Sequence, residues 1–200
     1  MQRVLMYTRF ERFWHWAQAF AIILLTITGF EVRGFFSLFG FDQAVRIHEI
    51  TGISMIVLIV FAIFWHFTTG EWKQYVPTHK KLIDQVLYYM IGIFKGDKHP
   101  THKDRNTKLN PLQRLVYLAL KLTLFPPQIV LGLLYMFYYD LRPMLPEFLT
   151  LEVIANLHVL FAFIFAHFLV IHVYMTTTGE TITTNVKAMI TGYEDLEEHS

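Results

Sequence analysis

The stretch NLHVLFAFIFAHFLVIHVYM, from Asn156 to Met175, decides how this chain folds, because its 20 residues include no Asp, Glu, Lys or Arg. An α-helix of about 20 residues spans the roughly 30 Å hydrocarbon core of a bilayer, so this stretch is long enough to cross a membrane. It nevertheless contains three histidines, His158, His167 and His172. Polar side chains are costly inside a bilayer and usually serve a function there, so these imidazoles need an explanation.

Three further apolar runs accompany this stretch, and together they predict an all-α integral membrane four-helix bundle. Hydrophobic residues make up 54% of the chain and charged residues 16%, whereas a soluble domain has about 25% charged residues. We predict a single domain over residues 1–200, with spans at about 13–30, 47–69, 112–139 and 151–175 and an inner connection at 71–111.

Two local features refine this prediction. Pro126 and Pro127 predict a kink in the third span, because proline interrupts helical hydrogen bonding. Between Lys80 and Phe94, apolar residues recur at helical spacing and predict an additional amphipathic helix lying on the inner surface of the membrane. The polar segment that follows, up to residue 111, is predicted to be a loop, and an acidic tail, EDLEEH, to end the chain.

The distribution of basic residues predicts the orientation of the bundle. On one side lie Arg3, Arg9, Arg12, Lys73, Lys80, Lys81, Lys95, Lys98, Lys103, Arg105, Lys108 and Arg114. The other two connections hold only Arg33, Arg46 and Arg142. The positive-inside rule therefore predicts that both termini and the connection between spans two and three are cytoplasmic. The net charge of +1 gives no indication of a nucleic-acid partner.

The absence of cysteine from the sequence excludes several kinds of redox site. Without cysteine the chain forms no disulfide, no thiolate-bound iron–sulfur cluster and no covalently attached c-type haem. Histidine, with 10 copies, is the remaining candidate ligand for a redox cofactor.

The spacing of the histidines in the fourth span places two of them on one face at two depths. His158 and His172 are 14 residues apart, which is about 40° short of four full helical turns and a rise of about 21 Å. His167 lies about half a turn away from that face, so we interpret it as a hydrogen-bonded residue of the helix.

Each histidine of this pair needs a partner at its own depth to bind a metal from both sides. On the outer side the candidate is His48, at the start of the second span. On the inner side both His15 and His66 are candidates, and helical geometry does not choose between them. Three of the histidines are followed one helical turn later by a small residue, which leaves room for the edge of a porphyrin. These small residues are Ala19 after His15, Gly52 after His48 and Ala162 after His158. A haem iron with two histidine ligands has no open position, which indicates electron transfer.

Other classes of function compete with this interpretation. A non-redox membrane anchor or a zinc or copper transporter would also carry apolar spans, although transport sites usually add carboxylates or thiols to histidine. The sequence HEITG at His48 resembles the start of the zinc-protease motif His-Glu-x-x-His, but Gly52 stands where the second histidine is required.

Three motifs resemble one known family. They are RFERFWHW around His15, RIHEITG around His48 and HVYMTTTG from His172. Their order and spacing are similar to those of the di-haem b-type cytochrome subunits of membrane formate dehydrogenases, nickel–iron hydrogenases and thiosulfate reductases, a bacterial cytochrome b561-like family. The resemblance covers essentially the whole chain, including the basic inner connection.

The resemblance implies two haem b groups in a bacterial inner-membrane protein. His48 and His158 would ligate the outer haem, and His15 and His172 the inner haem. The family passes electrons between a quinone, menaquinone or ubiquinone, near the inner haem and an outer redox subunit. That partner would be an iron–sulfur, molybdenum or tungsten, nickel–iron or multihaem protein. A stand-alone membrane oxidoreductase, a superoxide:quinone or ferric reductase, is the alternative.

Further residues are candidates for binding the quinone and the haem propionates. Asn110 matches the family's asparagine near the quinone, although Pro111 and Leu112 depart from the pattern that follows it. Gln113 and His66 are the other quinone candidates. The candidates for pairing with haem propionates are Arg9, Arg12, Arg46 and Lys121.

Overall fold

The computed structural model describes residues 2–101, 107–179 and 181–196, and this part of the chain is almost entirely helical. In chain order the elements are β1 (Gln2–Leu5), α1 (Arg9–Val32), α2 (Phe41–Thr69), a 3₁₀ turn (Glu71–Tyr75), α3 (Leu82–Leu87), a π segment (Tyr88–Gly92), α4 (Ile93–Lys95), α5 (Pro111–Ala119), a π segment (Leu120–Leu124), α6 (Phe125–Met136), α7 (Tyr138–Leu141), a 3₁₀ turn (Arg142–Met144), α8 (Leu151–Thr176), α9 (Thr184–Thr191) and β2 (Tyr193–Leu196).

Four helices are long and apolar enough to cross a membrane, namely α1, α2, the continuous stretch Pro111–Met136 and α8. They form a ring in which α1 packs on α2, α2 on α6, α6 on α8 and α8 on α1. Large apolar side chains such as Phe20, Phe64 and Val170 are about two thirds exposed on the outside of this ring, as expected of a surface that contacts lipid. The predicted all-α membrane bundle is confirmed.

The first two spans begin earlier in the chain than hydrophobicity predicts. α1 starts at Arg9, because Thr8 and Glu11 form a capping box in which each side chain accepts a hydrogen bond from the other's backbone N–H, at 3.3 and 2.7 Å. α2 starts at Phe41, directly after Gly40, whose φ of 86° suits glycine. Helices extend beyond the apolar core of a bilayer, so an apolar run marks only the membrane-embedded part of each helix.

The third span is irregular beside its two prolines, where the sequence predicts a kink. Pro126 and Pro127 lie in the first turn of α6, and proline provides no N–H to the preceding turn. The π segment Leu120–Leu124 occupies that preceding turn and changes the hydrogen-bonding pattern there. The span also ends three residues earlier than predicted, at Met136, because Phe137 leaves the helical conformation.

The predicted amphipathic helix is present as α3, the π segment Tyr88–Gly92 and α4. Its exposed apolar row consists of Ile83, Leu87, Met90 and Phe94. On the opposite face Gln85 is fully buried and accepts a hydrogen bond from the Thr101 hydroxyl at 2.9 Å. An exposed apolar row beside a bonded polar face is suited to a helix that lies in the membrane interface.

The two ends of the chain pair with each other, which the sequence analysis does not anticipate. β1 pairs antiparallel with β2, and Gln2 lies opposite Leu196. The predicted acidic tail therefore begins as a strand, and its residues 197–199 lie outside the described part of the chain. Lys103 and Arg105 of the basic connection lie outside it as well. The pairing places the first and the last described strand at the same end of the bundle.

A buried lysine joins three segments at this end. Lys108, which is 5% exposed, donates hydrogen bonds to Glu11 Oε1 at 2.6 Å and Glu71 Oε2 at 3.1 Å. Its backbone N–H donates to Gln74 Oε1 at 3.2 Å. From the sequence, Lys108 is expected only to be one of the basic residues that determine the membrane topology. In the structure it connects the start of α1, the 3₁₀ turn Glu71–Tyr75 and the loop that precedes α5.

We predict that Lys108→Met destabilises the bundle by about 3 kcal/mol, because removing one member of a buried ion pair leaves a charge without compensation. The partial exposure of Glu71 keeps the effect at the lower end of the usual range. Thermal unfolding in detergent measures it, and Lys73→Met, at an exposed position, is the control. Equal midpoints for the two variants would contradict the prediction.

Candidate functional site

His48 of α2 and His158 of α8 face each other across the bundle. Their ring centres are 6.1 Å apart, and the ring planes are inclined by 80°. A cavity opens around both rings, and the small residues Gly52 and Ala162 are part of its lining, as their spacing from the histidines suggests. The amide nitrogen of Gln128, another residue of the cavity lining, lies 3.4 Å from His158 Nε2. An amide nitrogen only donates, so His158 Nε2 is the acceptor and carries the lone pair of this ring.

His15 of α1 and His172 of α8 form a second facing pair at the end of the bundle that carries the termini. Their ring centres are 6.2 Å apart. Phe168 stacks on His172 with ring centres 5.7 Å apart, and Trp16 meets His15 edge-on at 5.2 Å. The aromatic side chains thus hold both imidazoles in an apolar environment.

The separation within each pair is suited to one metal ion bound from both sides. A bond between a metal and an imidazole nitrogen is about 2 Å, so two rings on opposite sides of one ion have centres about 6 Å apart. Across the described residues, no group of three or more His, Cys, Asp or Glu side chains could hold a metal ion. Each pair would therefore supply two ligands to one iron atom, and a porphyrin would supply the four others. The donor set fits haem.

Two glycines that the sequence analysis does not single out allow this approach. A Cβ atom at Gly29 of α1 would lie 3.0 Å from His48 Cε1, and one at Gly132 of α6 would lie 3.1 Å from His158 Cε1. A Cβ atom at either position would be in a tight contact, and the imidazole on the neighbouring helix would have to shift by a few tenths of an ångström. The sequence does contain a signal for these two contacts, because a glycine inside an apolar helix often marks a packing or functional contact.

The two remaining histidines of the spans make hydrogen bonds within their own surroundings. His66 is buried, with Nδ1 2.6 Å from the Ala62 carbonyl and Nε2 3.3 Å from the Tyr75 hydroxyl. The structure places it beside Trp14, at 5.1 Å between ring centres, while His15 is the residue opposite His172. His167 is exposed on the outside of the bundle, and its Nδ1 donates to the Phe163 carbonyl at 2.7 Å.

A cationic side chain lies next to His66. Lys121 Nζ is 3.1 Å from the centre of the Tyr75 ring and 5.6 Å from that of Trp14. This geometry is a cation–π contact. Burial raises the pKa of Tyr75 above its ordinary value, so its hydroxyl keeps its proton beside His66.

Asn110 and Gln113 form the capping box of the helix that begins the third span. Asn110 Oδ1 accepts from the Gln113 N–H at 2.8 Å, and Gln113 Oε1 accepts from the Asn110 N–H at 3.0 Å. Asn110 Nδ2 also donates to the Tyr89 hydroxyl at 3.0 Å. Asn110 is 6% exposed, and burial raises the pKa of Tyr89. Part of the hydrogen-bonding capacity of both quinone candidates is therefore used in capping.

The arginines proposed for the propionates occupy different surroundings. Arg9 and Arg46 are exposed at opposite ends of the bundle. Arg12 Nη1 donates to the Ile190 carbonyl at 2.6 Å and so holds the end of α9. Its Nε is buried and has no hydrogen-bond partner among the described residues, so it retains an unused donor.

The comparisons with known proteins show that the chain is similar to cytochromes. The family described as "Prokaryotic cytochrome b561" matches residues 6–192, which include all four paired histidines. The chain belongs to this family. It is also 25% identical over 199 residues, covering 96% of this chain and 75% of the relative, to the protein named "Putative cytochrome YdhU" of Escherichia coli (strain K12). No solved structure matches the chain.

Membership of the cytochrome b561 family identifies haem b as the cofactor and membrane electron transfer as the general function. Together with the four apolar helices, it makes the chain a multi-pass bacterial membrane protein. The two imidazole pairs are the positions in the described structure whose geometry is suited to haem iron.

We predict that Gly29→Ala and Gly132→Ala each lower the haem content of the purified cytochrome, because the added methyl group displaces an adjacent imidazole. A pyridine haemochrome assay per mole of protein measures the loss. Ala17→Ser, which adds one atom at a half-buried position in the same helix as Gly29, is the control for an added atom. Unchanged haem content in both glycine variants would show that the rings tolerate displacement.

Proposed function

We propose that this cytochrome is a di-haem electron-transfer subunit, with His48 and His158 holding one haem b and His15 and His172 the other. One observation carries the proposal: two imidazole pairs, each with ring centres close to 6 Å apart, at two depths of one bundle. His158 and His172 are 14 residues apart on α8, which separates the two sites by about 21 Å.

Haem b, when bound, supplies a one-electron redox couple whose potential depends on its axial ligands and their surroundings. The four histidines would occupy both axial positions at each site and thereby exclude other ligands from the iron. Apolar side chains around the pairs, such as Phe168 on His172, keep water away from the imidazoles. In this proposal Lys121 and the unused Nε of Arg12 provide positive charge for haem propionates near the inner pair.

The orientation that we propose rests on the distribution of basic residues together with the shared position of the two terminal strands. Strands β1 and β2 lie at the end of the bundle that carries the His15–His172 pair, and the basic connection returns to the same end. The positive-inside rule favours the cytoplasm for that end. The His48–His158 pair is then the outer one.

The outer end is the proposed contact with a periplasmic redox subunit. Aromatic and apolar side chains are exposed there on both outer connections: Phe35, Phe36, Phe41, Tyr139, Met144 and Phe148. Exposed apolar patches of this kind are typical of interfaces with protein or lipid. A redox partner at this end, an iron–sulfur, molybdenum or tungsten, nickel–iron or multihaem subunit, would exchange electrons closest to the His48–His158 site.

The inner end is the proposed quinone site. Quinone reduction takes up protons and quinol oxidation releases them, so the site needs polar groups close to water. Asn110, Gln113 and Tyr89 lie together at this end, and His66 with Tyr75 forms a second polar group there. Separating the quinone from the outer partner makes each electron cross the membrane, which is worth about 2.3 kcal/mol per charge per 100 mV.

We predict two haem b groups per chain, and the loss of one of them in His158→Ala, because that variant removes an axial ligand from the outer site alone. A pyridine haemochrome assay and a redox titration in the haem α-band measure this. His167→Ala, on the exposed side of the same helix, is the matched control and keeps both haems. One haem or none in the intact protein would refute the di-haem proposal.

We predict that Asn110→Ser lowers quinol-linked reduction of the haems several-fold while haem content is unchanged. Serine is a good N-cap residue, so the variant preserves the start of α5 but removes the amide donor. Reduction by dithionite checks that the haems remain functional. Thr150→Ser, which changes the N-cap residue of α8, is the control for a changed helix cap. We expect it to leave quinol turnover unchanged. Wild-type turnover in Asn110→Ser would limit Asn110 to capping.

The alternative function is tested with the isolated chain. The assays measure whether it reduces quinone with electrons from superoxide, or reduces ferric iron. Such activity without any outer subunit would identify a stand-alone membrane oxidoreductase. Co-purification of a redox partner with the intact cytochrome supports the subunit role.

A further inference from the structure

A buried threonine contacts one of the four paired histidines. Thr28 of α1 is completely buried, and its Oγ1 lies 3.0 Å from His48 Nδ1. The next residue, Gly29, allows the same ring to lie against the backbone of α1. Two consecutive residues of α1 therefore fix the position of the His48 imidazole.

The direction of this hydrogen bond follows from the other neighbours of the hydroxyl group. Thr28 Oγ1 lies 2.7 Å from the Leu24 carbonyl oxygen and 3.4 Å from that of Leu25. Carbonyl oxygens only accept, so the single hydroxyl hydrogen is directed to the helix backbone. His48 Nδ1 must then be the donor to the threonine oxygen. This tautomer leaves the lone pair on Nε2, the nitrogen available to a metal.

The other rings differ from His48 in this respect. In the described structure, His158 Nδ1 and His15 Nδ1 are buried without a hydrogen-bond partner. A ligating imidazole whose second nitrogen donates a hydrogen bond is more basic and is fixed in one orientation. Among these three rings, only His48 has a side-chain hydroxyl group at hydrogen-bond distance from its Nδ1 atom.

We propose that Thr28 is a positioning residue that fixes the His48 tautomer and lowers the reduction potential of the haem bound there. The inference rests on the proposed ligation by His48. A hydrogen bond from Nδ1 makes the imidazole a stronger electron donor, which stabilises the ferric state over the ferrous state. The bond thereby makes the two haem sites unequal.

The test is a redox titration of Thr28→Val, which replaces the hydroxyl by a methyl group of similar size. We expect the reduced-to-oxidised ratio of the His48 haem at a fixed potential to rise by up to tenfold, or about 59 mV for a one-electron couple. That haem is identified as the one lost in His48→Ala. The other haem keeps its potential, and the g-values of the His48 haem shift in electron paramagnetic resonance.

Three further variants separate the hydrogen bond from packing. Thr28→Ser retains the hydroxyl and is expected to restore the wild-type potential. Thr123→Val is the control, since the Thr123 hydroxyl also donates to a backbone carbonyl, that of Ala119 at 2.7 Å, but is exposed and does not line this cavity. Thr28→Ala introduces no new atom and is measured beside Thr28→Val. Thr28→Val and Thr28→Ala could both lose the His48 haem while Thr28→Ser keeps it. That result would also support the proposal, because only the variants without the hydroxyl group would fail to hold His48 in place.

The outcomes distinguish this inference from the proposed function. Two haems with unchanged potentials and g-values in Thr28→Val would overturn the role of Thr28 and leave the di-haem proposal intact. A shift of equal size in Thr28→Ser would also overturn it, because the hydroxyl would not be the cause. Retention of every haem in His48→Ala would instead refute the ligation on which the inference rests.

Discussion

Two imidazole rings that face each other between α2 and α8, with centres 6.1 Å apart, constrain the helices around them. Their rings lie close against the neighbouring helices, where a Cβ atom at Gly29 would be 3.0 Å and one at Gly132 3.1 Å from an imidazole carbon. In a bilayer, helix association has no hydrophobic driving force, so close packing and hydrogen bonds are what hold helices together. The contacts around the histidines therefore contribute to the fold as well as to the site.

The inner end of the bundle is stabilised differently, by charges and caps. Lys108 with Glu11 and Glu71 joins the start of α1 to the connection after α2, and the Asn110 capping box begins the next helix two residues later. Such a network depends on every member being paired, since an isolated buried charge is strongly unfavourable. The loop that carries Asn110 is thus held in place by residues far away in sequence. A quinone site built on this loop would have a rigid polar edge.

Helical periodicity predicts much of the site, because residues on one helix have a fixed spatial relation. The shared face of His158 and His172, and the off-face position of His167, follow from 3.6 residues per turn alone. Contacts between helices do not follow from it, which is why Thr28, Gly29 and Gly132 were not predicted. The same reason applies to Lys108 and to the pairing of β1 with β2. Span boundaries were shifted because caps such as Thr8, and not hydrophobicity, determine where a helix begins.

The bonding of each histidine, more than its depth in the membrane, separates ligand candidates from structural residues. His66 lies at the same end as His15, and spacing leaves both possible as partners of His172. In the structure, both nitrogens of His66 are near oxygen atoms, those of Ala62 and Tyr75. An imidazole with both nitrogens in hydrogen bonds has no lone pair left for a metal unless a bond is broken. His15 faces the second imidazole instead, with a buried Nδ1 that makes no hydrogen bond within the described structure. The burial of a histidine in a membrane helix thus has two distinct causes in this cytochrome. One is local hydrogen bonding, and the other is a paired arrangement that, in the proposed function, supplies two imidazole nitrogens to one haem iron.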